Sequence, residues 1–196
     1  MSSVGETVAA LEAGDLAVIP TDTVYGLACR ADREESVLAL SALKGRTPVQ
    51  PVALVGRSTD ALRDLVPELD TATLLRGPFT LVLPNPARRL PWLTGSRPET
   101  IGVRIPDVQG VAAELLDAVG VVAATSANLH GAADPRRIED VPSAILAAVA
   151  AVLDGGELPG SPSTVVDLTG SEPNVLREGA VPAHEAMARI ARSRAE

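Results

Sequence analysis

Short apolar runs alternate with stretches of helical spacing along the whole chain, and this alternation limits the fold more than any other feature of the sequence. Leu16-Ala17-Val18-Ile19, Pro51 to Val55, Phe79 to Leu83, Thr100 to Ile105, Val121 to Ala124 and Ser163 to Leu168 read as buried strands. Ala151 to Leu153 and Asn174 to Arg177 are shorter extended pieces. Helical spacing marks Glu6 to Glu12 before Gly14, a segment that Asp32 and Glu35 would cap and Gly45 would end, and Ser58 to Leu65. It continues at Leu69 to Arg76, Val111 to Val119, Ser143 to Val149, and from Pro182 to about Arg192, while the Gly- and Pro-rich 155–162 segment must be a loop. The pattern predicts an α/β or α+β fold: one domain over 1–196, with a mixed sheet flanked by helices.

Such a core must be aliphatic, because 46% of the residues are hydrophobic and only 2% aromatic. The formal net charge of −8 repels a phosphate backbone, so a nucleotide or nucleic-acid site has to be a local basic pocket. Cys29 is the single cysteine, which rules out an internal disulfide or a multi-cysteine metal site. The N-terminus lacks a basic-then-apolar leader and no apolar run approaches a membrane span, so a cytoplasmic protein without a membrane partner is expected. Of 17 basic side chains only Lys44 is a lysine, a position where a compact ammonium differs from the planar arginine fork.

Three apolar strands run into hydroxyl-rich turns: Thr21 and Thr23 in Pro20-Thr21-Asp22-Thr23-Val24-Tyr25-Gly26-Leu27, then Thr125 and Ser126, then Ser163 and Thr164. One such turn is ordinary local capping chemistry; three beyond strand ends suggest a shared ligand crevice. Lys44 and Arg46 flank a turn glycine, and Arg104 and Arg177 lie in or at the end of apolar strands. A buried arginine between Val103 and Ile105 has to meet an anion; the alternatives are the open face of an edge strand or an internal Asp or Glu partner. No phosphate-loop or dinucleotide fingerprint is present, and His130 and His184 stand apart without a ligand cluster. Ser126 has no evident histidine base, which argues against covalent catalysis.

PTDTVYGL (20–27), KGR (44–46), GPFTLVLP (77–84), VRIP (103–106), ATSANLHG (124–131), STVVDLTG (163–170) and LREG (176–179) together resemble the YrdC-domain family, the L-threonylcarbamoyladenylate synthases. The resemblance runs in order over about residues 5–180. It implies a twisted sheet around a basic concave groove, in the short, single-domain type. It also implies a nucleotidyltransferase reaction that joins L-threonine, bicarbonate or CO2 and ATP into threonylcarbamoyl-AMP and pyrophosphate. Mg2+ would come with ATP rather than from side-chain ligands. The product would serve tRNA modification beside the anticodon, with tRNA met only through a downstream threonylcarbamoyl transferase complex.

Carried over by motif, the resemblance places Thr23, Arg104, Ser163 and the backbone at Ala124 around threonine. It places Lys44, Arg46, Gln50, Thr100, Ser126, Asn128 and Arg177 around ATP, with Lys44 and Arg46 stabilising charge in catalysis. Thr21 and Tyr25 would shape the site, and Asp22 would secure the turn. Tyr25 either closes over a ligand or packs the turn with its hydroxyl in water. The chain departs from the family pattern at Gln50-Pro51-Val52, at Val55 where a histidine is common, at Leu75-Arg76-Gly77 and at His130. Two alternatives accompany this reading: an RNA-binding module of the same fold, and a related carbamoyl-adenylate-forming enzyme for another amino acid.

Overall fold

The structure is a computed structural model that describes residues 1–47, 50–70 and 74–194. Local sequence signals start and stop most elements. Helix α1 (Val4–Ala13) opens with a capping box in which Ser3 and Glu6 satisfy each other's amides, and closes at Gly14 with φ 96°. Strand β1 (Ala17–Ile19) follows, then β2 (Gly26–Arg30), α2 (Glu34–Leu43), β3 (Ala53–Gly56) and α3 (Thr59–Leu65), the last capped by the Ser58 hydroxyl. The chain continues through β4 (Phe79–Pro84), β5 (Thr100–Arg104), α4 (Gly110–Val119), β6 (Val121–Ser126), α5 (Ser143–Leu146), β7 (Ala151–Val152), β8 (Thr164–Asp167), β9 (Asn174–Arg177) and α6 (Ala183–Ser193).

Three sequence expectations change. Strand β2 was not legible, because the signature that precedes it reads as a turn and its own residues as a continuation. Asp32 does not cap α2: it pairs with Arg30 at 2.5 Å, and Arg33 occupies the cap position without a side-chain bond. The helix expected over Leu69–Arg76 falls partly on residues 71–73, outside the described set; Leu69, Asp70, Leu74 and Leu75 are not helical, and Arg76 bridges Ile105.

Nine strands among the described residues form one sheet in the order β7-β1-β2-β6-β3-β5-β4-β8-β9. The pairs β1–β7, β3–β5 and β4–β8 are parallel and the others antiparallel, so the sheet is mixed. Leu54, Leu81, Val103 and Val166 turn to one face, into a large core with Phe79, Leu83 and Ile190. On the other face Leu11 of α1 and Leu115 and Leu116 of α4 cover Ala17, Ile19, Ala28 and Val122.

That cover ends over the middle of the sheet. There β4, β5 and β8 alternate buried residues with the partly buried Thr80, Val82, Gly102, Arg104 and Val165, which form the floor of an open concavity. The Leu153–Ser163 connection joins β7 at one sheet edge to β8 near the other as a strap that runs beside the 20–27 turn and brings Pro162 and Ser163 to the concavity.

Candidate active site

A cavity of about 340 Å³ occupies the concavity. Its walls include Thr21 and Thr23, Arg46 and Gln50, Ala124 to Ser126, Pro162 and Ser163, and Arg177, over the floor of Gly102 and Arg104. The three hydroxyl-rich strand ends therefore do converge. Arg46, Arg104 and Arg177 are its charged lining, and among the described residues no carboxylate lines it. A chain of net charge −8 thus gathers three guanidiniums around one small-molecule-sized space.

The turn at 20–27 is built by Thr21, whose hydroxyl accepts the amides of Thr23 and Val24 at 3.1 and 3.3 Å and donates to the Val24 carbonyl. Asp22 does something else. It reaches across to Arg104 Nη2 in a close ion pair, and its second oxygen accepts the Asp107 amide at 2.9 Å. Thr23 Oγ1 accepts the same Arg104 nitrogen at 2.9 Å. Arg104 thus has an internal partner and also faces the cavity, so two of the placements open to it from sequence hold together. Burial pushes its guanidinium below the usual arginine range, with Arg177 acting the same way and Asp22 opposing. Its Nε is buried and meets no protein acceptor, and the same holds for Nε of Arg46. Buried donors left unpaired are costly, and neither Arg46 nor Arg104 has all of its donors satisfied within the protein.

Ser163 joins two walls. Its Oγ lies 2.8 Å from Thr80 Oγ1, and its carbonyl accepts Arg177 Nη2 at 2.8 Å. Thr80 was missed from sequence, although the alternation of Phe79-Thr80-Leu81-Val82 places it on the open face.

Lys44, Thr100, Asn128 and Tyr25 do not line the cavity. Thr100 is buried, its hydroxyl donating to the Arg97 carbonyl at 3.0 Å, because strand β5 carries it away from Arg104. Lys44 sits behind the Ser126 turn, its Nζ donating to the Ser126 carbonyl, to Ser126 Oγ at 3.0 Å and to Asn128 Oδ1 at 2.6 Å. Asn128 in turn donates to the Ala132 carbonyl at 2.6 Å and to Asp134. An ammonium has three N–H donors, and all three are used inside the turn.

Those acceptors favour the charged amine, but burial, reinforced by Arg46 and Arg177, outweighs them and pushes Lys44 down to about 7. The folded protein therefore releases this proton well below the usual 10.5, so protonation of Lys44 opposes folding. That penalty is complete below about pH 7 and is relieved as pH rises from 7 towards 10.5. Thermal unfolding followed across this window should show wild type gaining stability relative to Lys44→Met.

Tyr25 is fully buried, and its hydroxyl is not wet. It accepts the Gly155 amide at 3.0 Å and lies 2.9 Å from Asp154 Oδ1 and 2.7 Å from the Gly156 carbonyl, pinning the start of the strap. Further along, Gly160 donates to the Thr23 carbonyl at 2.8 Å, so Thr23 and Tyr25 of the 20–27 turn both hold the strap in place. Burial and Asp154 push the phenol up to about 12, against the Gly155 bond, so it stays protonated through neutral pH. Tyr25→Phe removes the hydroxyl from buried partners and should cost ~1–2 kcal/mol, read as a lower denaturant midpoint with an unchanged m-value.

Cys29 is buried, which pushes its thiol up to about 12, so it offers no thiolate. No group of three His, Cys, Asp or Glu among the described residues could hold a metal ion. Among the described residues no helix is long and apolar enough to cross a membrane.

Comparison with known proteins identifies this arrangement. A family model named Sua5/YciO/YrdC, described as "Telomere recombination", matches residues 9–179. A putative threonylcarbamoyl-AMP synthase of Mycobacterium tuberculosis is 39% identical over 181 residues, 89% of this chain and 82% of that protein. The human threonylcarbamoyl-AMP synthase is 38% identical over 83% of this chain and 61% of its own length. The crystal structure of Pyrococcus abyssi Sua5 complexed with L-threonine superimposes with a TM-score of 0.86 at 31% identity. The alignment covers 95% of this chain, which spans 57% of the crystallised one. From the match over most of its length, and from relatives at this identity, the chain belongs to the Sua5/YciO/YrdC family.

Proposed function

We propose that this chain is a threonylcarbamoyl-AMP synthase, condensing L-threonine, bicarbonate or CO2 and Mg-ATP to threonylcarbamoyl-AMP and pyrophosphate. The observation that carries this reading is the cavity itself: three guanidiniums and converging hydroxyls, with no carboxylate among its described lining residues. Such a site suits a ligand with several negative charges and reactants that bring their own nucleophile. The relatives' names supply the identity of those reactants, and the structure of the Pyrococcus protein with L-threonine supports the amino acid.

The reaction makes few covalent demands on side chains. The threonine ammonium loses a proton to solvent base, the free amine forms a bond to the CO2 carbon as a C=O electron pair moves onto oxygen, and the nitrogen gives up a second proton to solvent to leave a carbamate. A carbamate oxygen then attacks the α-phosphorus of ATP, the bond from that phosphorus to its bridging oxygen breaks, and pyrophosphate leaves with the electron pair. The protein has to align these groups and meet the charge that builds on the phosphoryl oxygens.

In this reading Arg104 binds the threonine carboxylate, with Thr23 and Ser163 beside it, close to the backbone of Ala124. Arg46 and Arg177 face the phosphates together with Ser126 and the Gln50 amide. Lys44 acts one step back: by holding Ser126 and Asn128 it fixes the phosphate-facing turn instead of touching phosphate. Mg2+ enters with ATP as part of the substrate, since both oxygens of the nearby Asp22 carboxylate are engaged. The product, a mixed anhydride, would pass to a transferase acting on tRNA, so tRNA itself need not touch this chain.

The test is amino-acid dependence. Protein incubated with Mg-ATP, bicarbonate and each of several amino acids should release pyrophosphate with threonine. Equal release with serine or valine would point to the related ligase for another substrate. Release with none, together with salt-sensitive RNA binding, would favour a binding module.

A further inference from the structure

We infer that Asp22 is the positioning residue of the site: it sets the edge that Arg104 presents to the amino-acid carboxylate and holds Arg104 at that place. The inference rests on the proposed role of Arg104.

The two side chains are nearly shut from water, with relative exposures of 10% for Arg104 and 8% for Asp22. A guanidinium on a long stem has many rotamers, and an arginine on a strand face open to a cavity has little else to fix it. Asp22 and Thr23 take Nη2 between them, which directs the rest of the planar fork away from the turn. Arg104 itself lines the cavity, and its Nε, buried, meets no protein acceptor. Asp22 is itself fixed twice. It belongs to the turn that Thr21 builds, and its other oxygen is anchored by the Asp107 amide just beyond β5. The carboxylate therefore ties the 20–27 turn to the strand that carries Arg104, so that the turn's hydroxyl Thr23 and the arginine keep one spacing.

Its charge has a second effect. Arg104 shares the cavity with Arg46 and Arg177, and Arg177 lowers the proton affinity of Arg104. A single carboxylate behind Arg104 offsets part of this repulsion without entering the cavity, leaving the space free for the ligand's anion.

Asp22→Asn keeps the shape and one of the two acceptor oxygens but removes the charge. We expect its threonine KM to rise at least about tenfold while its ATP KM stays within about twofold. A role confined to folding stability would not produce that split. The effect should also vanish in an Arg104→Ala background, because a residue acting only through Arg104 has nothing left to position. Asp22→Glu, which keeps the charge but displaces the fork by one methylene, guards against poor folding of the Asn variant and should likewise raise the threonine KM.

Folded Asp22→Asn and Asp22→Glu proteins with wild-type threonine KM overturn the inference, as do additive effects with Arg104→Ala. Failure of the underlying reading looks different: Arg104→Ala itself would then leave the threonine KM unchanged, and the inference would fall with it.

Discussion

Arg104→Ala is expected to lower kcat/KM for threonine by about two orders of magnitude or more, with the ATP KM little changed. The magnitude follows from the loss of charge-assisted bonds between a carboxylate and a largely buried guanidinium, ~2–4 kcal/mol. The variant also leaves Asp22 buried without its cation, so some stability should be lost as well. The two effects are separable, because initial rates over a threonine series at saturating ATP report the first and a denaturant titration reports the second. A threonine KM equal to wild type in a folded protein would remove Arg104 from the amino-acid site.

Gly179→Ala should be among the most damaging small substitutions in the chain. A Cβ at this position would lie 2.2 Å from the Pro162 carbonyl oxygen and 2.6 Å from the Ser163 carbonyl carbon and oxygen. These are backbone atoms, so no side-chain end can swing aside. The Gly179 amide donates to Thr164 Oγ1 at 3.1 Å, and Ala180 donates to the Pro162 carbonyl at 2.7 Å, which fixes the two segments against each other. Relief would have to come from moving the end of the strap, and Pro162 and Ser163 are cavity wall. We expect destabilisation of ~2–4 kcal/mol together with weakened threonine binding, since Ser163 forms the wall beside the proposed amino-acid position. Denaturant midpoints and the threonine KM measured on one preparation check both. A stability within about 0.5 kcal/mol of wild type would show that the contact between these segments is loose.

The substitution also shows what the sequence could not display. Gly179 reads as a loop glycine with no special need; its constraint comes from a segment some sixteen residues earlier that only the tertiary structure brings beside it. The same holds for Asp22. On paper it is one polar residue in a turn, and turn chemistry explains it well enough locally. Its actual partner, Arg104, lies 82 positions away, on a strand several places removed in the sheet order.

Strands were legible as short apolar runs; their two faces were not. In Phe79 to Leu83 and Gly102 to Arg104 buried and partly exposed residues alternate, so that Arg104 and Val103 lie on opposite faces, although the segments read from sequence only as strands. The sequence did not show that the open face would be left bare by α1 and α4 while the rest of that face was covered, and so the floor residues Thr80 and Gly102 passed unnoticed. Lys44 shows the opposite limit. Its rarity in an arginine-rich chain marked it, and its position at the end of α2 placed it near the site. The sequence had no means of revealing that the ammonium points inward to Ser126 and Asn128 instead of outward to a ligand. Tyr25 likewise turned out to secure a strap, because Asp154 and Gly155 arrive beside it from the far end of the chain.

The central claim is that this cavity makes a carbamoyl adenylate of threonine, and one measurement tests it directly. The protein is incubated with Mg-ATP, L-threonine and 13C-bicarbonate, and the products are resolved by mass spectrometry alongside a pyrophosphate assay. The account expects threonylcarbamoyl-AMP carrying the label, formed in step with pyrophosphate and abolished by Arg104→Ala. Pyrophosphate without a labelled adenylate, or no turnover from a folded and threonine-saturated protein, would contradict it.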